Sequence, residues 1–260
     1  MNNPNHILPD IRHEQSRKQE PDMPSILAHI ALESGKNSKY SVIWLHGLGA
    51  DGNDFAPIVD EFKLPVAVRY IFPHAPHIPV TINGGSVMRA WYDISVDDLS
   101  TELKTGISTG LKTSSSAQAA DIRASQAAVE ALIAQEIKHG RDSQHIFLAG
   151  FSQGGAIALH TALRRSEPLA GVLALSTYLP LADAAITEAC SRQTPIFMAH
   201  GLQDPVVPCA LGRASRDALL ALGYSVAWHE YPMQHSVNGR ELSDIEAWLT
   251  ERIAKCEAAV

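Results

Sequence analysis

The stretch His145-Ile146-Phe147-Leu148-Ala149-Gly150-Phe151-Ser152-Gln153-Gly154-Gly155 constrains this chain more than any other. An apolar run of buried-strand type passes directly into Gly-x-Ser-x-Gly, and a helix-forming segment, Ala156–Arg164, follows with small residues where it begins. A strand can become a helix over so few residues only if the corner residue accepts a strained backbone and its neighbours carry no obstructing side chains. The glycines meet the second condition. Ser152 then projects alone, at the carboxyl edge of a sheet and the amino end of a helix, where free N–H groups favour a developing negative charge.

The rest of the chain agrees with such a sheet. From about residue 27, short β-rich runs alternate with longer stretches of helical period, the pattern of an α/β fold with a mostly parallel central sheet and helices on both faces. Expected strands are Leu27–Ala31, Tyr40–Leu45, Val66–Phe72, His145–Ala149, Val172–Leu175, Pro195–Ala199 and Ser225–Tyr231. Several are apolar on both faces, as Ile146 to Ala149 show, which suits interior strands covered on each side. Two helices are expected to lie against the sheet: Asp121–Glu136, with Ile122, Val129, Leu132 and Ile133 on one stripe, and a C-terminal one carrying Leu242, Ile245, Leu249 and Ile253. Residues 100–118 lack an apolar period, carry Gly106, Gly110 and a Ser114-Ser115-Ser116 run, and are expected to form a surface loop.

At 260 residues with 45% apolar content, one core is sufficient, so residues 25–260 are expected to form a single domain behind a polar, proline-punctuated tail at 1–24. The formal charge of −7, from 21 Lys and Arg against 28 Asp and Glu, argues against nucleic acid as a partner. The tail lacks the apolar run of a secretory signal, and no segment approaches the length of a membrane span. Three cysteines, Cys190, Cys209 and Cys256, are odd in number and not in metal-ligand spacing. They fit a reducing compartment, and the expected localisation is cytoplasmic.

A serine hydroxyl needs a histidine to take its proton and a carboxylate to fix that ring's tautomer. On this type of sheet the chain order is serine, acid, histidine, with acid and base on loops after later strands. Among the later histidines, His160 falls in the helix after the corner, His200 closes a strand and His229 sits mid-strand, whereas His235 lies in the turn Pro232-Met233-Gln234-His235-Ser236 before the last helix. Among the aspartates, Asp217 and Asp244 look helical and Asp183 looks like a helix cap. Asp204, in His200-Gly201-Leu202-Gln203-Asp204-Pro205-Val206-Val207-Pro208, leaves a strand at its carboxyl end and is the preferred acid. The loop His46-Gly47-Leu48-Gly49-Ala50-Asp51-Gly52 follows the strand Ser41–Leu45 and lacks the Gly-Lys-Ser/Thr ending of a phosphate loop. Its Leu48 N–H, with that of Gln153, is assigned to an oxyanion hole, and His46 is given a structural role.

These residues sit in blocks that resemble the phospholipase/carboxylesterase family, which includes acyl-protein thioesterases, and most of all its bacterial carboxylesterase branch. The blocks are Leu45 to Phe55, Phe72-Pro73-His74-Ala75-Pro76 with Pro79-Val80-Thr81, Met88-Arg89-Ala90-Trp91-Tyr92-Asp93, Gly150 to Gly155, and His200-Gly201 through Asp204 to His235. The resemblance implies an α/β-hydrolase without cofactor or metal, acting on a small-molecule ester or acyl substrate, with lysophospholipids and acyl thioesters as further candidates. It also places Leu175 to Leu181 beside an acyl groove, so Trp91, Tyr178 and Leu179 are expected to bind substrate, with core packing as the competing reading. Two segments depart from the family pattern, 1–24 and 100–118, and either is a candidate to cover the cleft or to mediate a homodimer. The rival functions are an amide, peptide or lactone hydrolase of the same fold, since pocket shape alone separates these chemistries, and a non-catalytic binding protein.

Overall fold

A computed structural model describes residues 26–95 and 116–258. Its strands are β1 (His29–Glu33), β2 (Tyr40–Leu45), β3 (Val68–Pro73), β4 (His77–Val80), β5 (Ser86–Arg89), β6 (Ile146–Phe151), β7 (Gly171–Leu175), β8 (Ile196–Gly201) and β9 (Val226–Tyr231). All but β4 and β5 join in one sheet, in the order β1-β3-β2-β6-β7-β8-β9. Within it only β1 runs antiparallel to its neighbour, and the pairs from β3 through β9 are parallel. Every expected strand is present in this sheet, displaced by at most two residues at either end, and β2 has the expected bounds. The expected tail at 1–24 and residues 100–115 of the expected loop lie outside the described residues.

Alternation along each strand divides the core into two layers. Ile43, Leu45, Leu148, Val172, Ala174, Ile196 and Met198 point to one face, where they meet α2 (Ser116–Lys138) and α3 (Gln153–Leu163). Val42, Trp44, Phe147, Leu173 and Phe197 point to the other, where they meet the short α1 (Ile58–Glu61) and the long α6 (Gly239–Ala258). Two further helices, α4 (Ala182–Glu188) and α5 (Cys209–Ala221), complete the first layer. Strands flanked on both faces have no solvated side, which is why β2, β7 and β8 are buried at every position.

Three local features differ from expectation. Helix α2 begins at Ser116 rather than Asp121, and Gln118 in its first turn is buried although Ser116 and Ala117 are exposed. Strands β4 and β5 form a separate two-stranded antiparallel hairpin where no strand is expected; it turns through Gly84 and Gly85, both at positive φ. Asp183 lies inside the first turn of α4, and the cap position is Leu181 in a left-handed conformation, with no side-chain cap.

The parallel register brings the carboxyl ends of β2, β6, β8 and β9 to one edge. Leu45 pairs with Gly150, Phe151 with Leu175 and Gly201 with Tyr231, so residues 46–52, Ser152, 202–208 and 232–238 all leave the sheet together.

Candidate active site

Ser152 is the corner between β6 and α3, at φ 53° and ψ −122°, a conformation that non-glycine residues rarely adopt. It is tied in place by its own backbone: its N–H donates to the Leu175 carbonyl at 2.9 Å, and its carbonyl accepts from the Thr177 hydroxyl at 2.6 Å. The glycines around it serve contact rather than flexibility. A Cβ on Gly150 would lie 2.4 Å from the Gly154 backbone, and one on Gly154 would lie 2.4 Å from the Leu45 carbonyl oxygen. Larger residues at either position would prise α3 away from β2 and β6.

Across the same edge, the Nδ1 of His235 is 2.7 Å from Asp204 Oδ2. The other oxygen of that carboxylate accepts the N–H groups of Val206 at 2.8 Å and Val207 at 2.9 Å, which turn back toward it in the loop after β8. Burial pushes the Asp204 carboxyl up, but these three hydrogen bonds outweigh burial and hold it below the usual carboxylate range. Such a carboxylate is ionised near neutral pH and orients His235 with its proton on Nδ1, leaving Nε2 free to accept. The ring of His235 also rests against Phe151, with centroids 4.7 Å apart. The other histidines lie as expected: His160 is fully buried in α3, and His229 is within β9, stacked on Phe197.

Ser152 and His235 line one cavity of about 320 Å³, together with Gly47, Leu48, Gln153 and a largely apolar wall that includes Ile82, Tyr92, Ile94, Phe151, Tyr178, Val206 and Val207. That size is near the lower end of the range for ligand sites. The loop carrying Leu48 is braced by His46, whose Nδ1 is 2.7 Å from the Gly47 carbonyl and whose Nε2 accepts the Ala75 N–H at 3.0 Å. Those partners place the proton of His46 on Nδ1, and burial lowers its pKa, so the ring is a neutral strut.

Of the three side chains expected to bind substrate, Tyr178 lines the cavity, its hydroxyl 2.8 Å from that of Tyr92. Trp91 and Leu179 do not; both are buried in the core layer. The reason is polar as well as apolar: Trp91 Nε1 donates to the His46 carbonyl at 2.8 Å, so the indole locks the glycine-rich loop from behind. Gln153 does more than its motif position indicates. Its side-chain oxygen accepts the Trp91 N–H and its amide nitrogen donates to the Tyr92 carbonyl, both at 2.7 Å, clamping that segment beside the serine. Among the described residues, no group of three or more His, Cys, Asp or Glu side chains is arranged to hold a metal ion, and no helix is long and apolar enough to cross a membrane.

Residues 28–253 match the model of the phospholipase/carboxylesterase family. This chain belongs to that family. It is 40% identical over 241 residues to acyl-protein thioesterase 1 of Neurospora crassa, covering 90% of this chain and 91% of that protein. It is 34% identical over 217 residues to carboxylesterase SOBER1 of Arabidopsis thaliana, covering 82% and 90%. The crystal structure of SOBER1 superposes with a TM-score of 0.72 at 31% identity, covering 82% of this chain and 99% of that one. As a member of the phospholipase/carboxylesterase family, the chain is a carboxylic ester hydrolase with the α/β-hydrolase fold.

Proposed function

We propose that the protein hydrolyses short-to-medium acyl esters, with acyl thioesters and lysophospholipids as related substrates, through an acyl-enzyme on Ser152. The observation that carries this reading is the 2.7 Å contact between His235 and Asp204, with the imidazole facing the cavity that Ser152 also lines. In the first half-reaction, Nε2 of His235 takes the hydroxyl proton as Ser152 Oγ attacks the acyl carbonyl. Asp204 stabilises the imidazolium, and the N–H groups of Leu48 and Gln153 receive the oxyanion. The imidazolium then protonates the departing alcohol or thiol. Water repeats the sequence on the acyl-enzyme and regenerates Ser152.

The largely apolar wall suits an acyl chain, and Tyr178 is its proposed contact, since it lines the cavity together with Tyr92. The free cysteines support a reducing, cytoplasmic setting for this activity. A homodimer is the proposed assembly, to be checked by sedimentation.

Hydrolysis of p-nitrophenyl esters from acetyl to palmitoyl, alongside the matching thioesters, tests both reaction and chain length. Ser152→Ala is expected to reduce turnover by about 10⁶ while preserving the circular dichroism spectrum. Equal turnover by the two proteins would refute the proposal. A fluorophosphonate probe is expected to label the wild type and not the variant.

A further inference from the structure

His200, the penultimate residue of β8, is fully buried and lies directly behind the proposed acid. Its Nε2 is 2.8 Å from the Val207 carbonyl and 3.5 Å from Asp204 Oδ2. A carbonyl can only accept, so Nε2 carries the proton. The other ring nitrogen, Nδ1, is buried with no hydrogen-bond partner, and a hydrogen placed there would be stranded. The ring is therefore neutral, consistent with a pKa lowered by burial. It is also closely packed: a Cβ on Gly212 of α5 would lie 2.4 Å from Nδ1, and the ring of Trp228 is near, with centroids 6.1 Å apart. The titratable and charged groups around it are Asp204, His235, Cys209 and Glu230, the last paired with Arg213, while Arg216 lies over Trp228.

We propose that His200 is a positioning residue for hydrolysis, acting through Asp204. The inference rests on the Ser152–His235–Asp204 reading above. The His200 N–H holds the Val207 carbonyl, the Val207 N–H holds Asp204 Oδ1, and Asp204 Oδ2 holds His235, so one neutral imidazole closes a chain of contacts that ends at the base. With the ring packed against α5 and Trp228, the Val207 carbonyl and, through it, the carboxylate are held in place. Without the ring, the loop after β8 loses its only buried side-chain tether from the strand itself among the described residues, and Asp204 is free to turn toward water.

Glutamine and asparagine substitutions separate positioning from packing, because a glutamine side chain is long enough to bring its amide nitrogen to the place of Nε2 and an asparagine side chain is not. Active sites are first titrated with a fluorophosphonate, and kcat and KM for p-nitrophenyl butyrate are then followed from about pH 5 to 9. His200→Asn is expected to lower kcat per titrated site about tenfold with KM within about twofold, the loss of one hydrogen bond serving a charged group. The acid limb of its kcat/KM profile moves to lower pH, because the imidazolium has lost part of its carboxylate partner. His200→Gln is expected to stay within about twofold of wild type. Gly212→Ala displaces the ring without removing it and should follow His200→Asn, which keeps the test available if the asparagine variant does not fold. Wild-type kcat and an unmoved acid limb in His200→Asn, or an equal fall in His200→Gln, would overturn the role of His200 alone. Absence of labelling at Ser152 in the wild type would overturn the triad reading and this one with it.

Discussion

On the β6 side of the cavity, Ser152 is placed by main chain: a positive φ, backbone hydrogen bonds to Leu175 and from Ala156, and glycines so close to neighbouring carbonyls that no carbon can be added. On the β8 and β9 side, Asp204 and His235 sit on loops, and side-chain hydrogen bonds place them. The two halves of one proposed catalytic unit are therefore held chiefly by different means. On the serine side, added volume at the glycines is expected to act first through the packing of α3 on the sheet, whereas on the acid and base side the loss of a donor or acceptor is expected to act first through turnover.

The largest effect expected within this contrast tests the side-chain half. Asp204→Asn keeps the shape but favours the wrong tautomer of His235, and kcat should fall about 10⁴-fold with the fold retained, the melting temperature falling because a carboxylate held by three donors is lost. Esterase assays paired with a melting curve check it, and a drop below about tenfold would break the contrast. Next comes the main-chain half: Gly154→Ala forces a carbon into the Leu45 and His46 carbonyls, and urea unfolding should reveal a loss of about 3 kcal/mol, with activity declining in step. Gln153→Ala removes the hydrogen bonds that its side chain makes to the Trp91 N–H and the Tyr92 carbonyl and should cost about 2 kcal/mol in the same assay.

The smallest effect has the opposite sign. Glu241, in the first turn of α6 just past the His235 turn, is fully buried, and burial pushes its carboxyl up to about 8, outweighing the Asn238 backbone, which favours the ionised form; separately, the Asn238 side-chain oxygen accepts the Glu241 N–H. A carboxyl raised in the folded state contributes stability in full below its unfolded pKa, and that contribution is lost as pH rises through the folded value. Glu241→Gln should therefore flatten the decline in stability toward pH 8 and raise stability there by about 1 kcal/mol, measured by urea unfolding at several pH values. Asp204 works the other way: with its carboxyl held low, its contribution is lost only as pH falls through its folded value.

The sheet and the serine corner were legible because each depends on local rules. Buried strands are short apolar runs, and a strand-to-helix corner requires glycines at fixed offsets. Asp204 and His235 were legible because chain order and loop position leave few alternatives, and the two side chains are in contact. The β4–β5 hairpin was not, since Pro79 interrupts one strand, both strands are four residues long and half of their residues are exposed. Trp91, expected beside substrate, lies in the core. Sequence marks an aromatic residue as buried but does not say whether its ring borders a cavity, and the deciding contact, indole to the His46 carbonyl, spans 45 residues. The clamp by Gln153 is likewise a long-range pairing, and the tether by His200 depends on how the loop folds back over the seven residues to Val207.

The left-handed backbone of Ser152 sets durability against reactivity at a single position. Glycine would occupy φ 53° without strain, so Ser152→Gly relieves about 1 kcal/mol of backbone cost while deleting the hydroxyl. A library of this protein sorted for heat resistance alone would be expected to enrich the inert glycine form, and any campaign to toughen the enzyme has to sort for turnover at the same time.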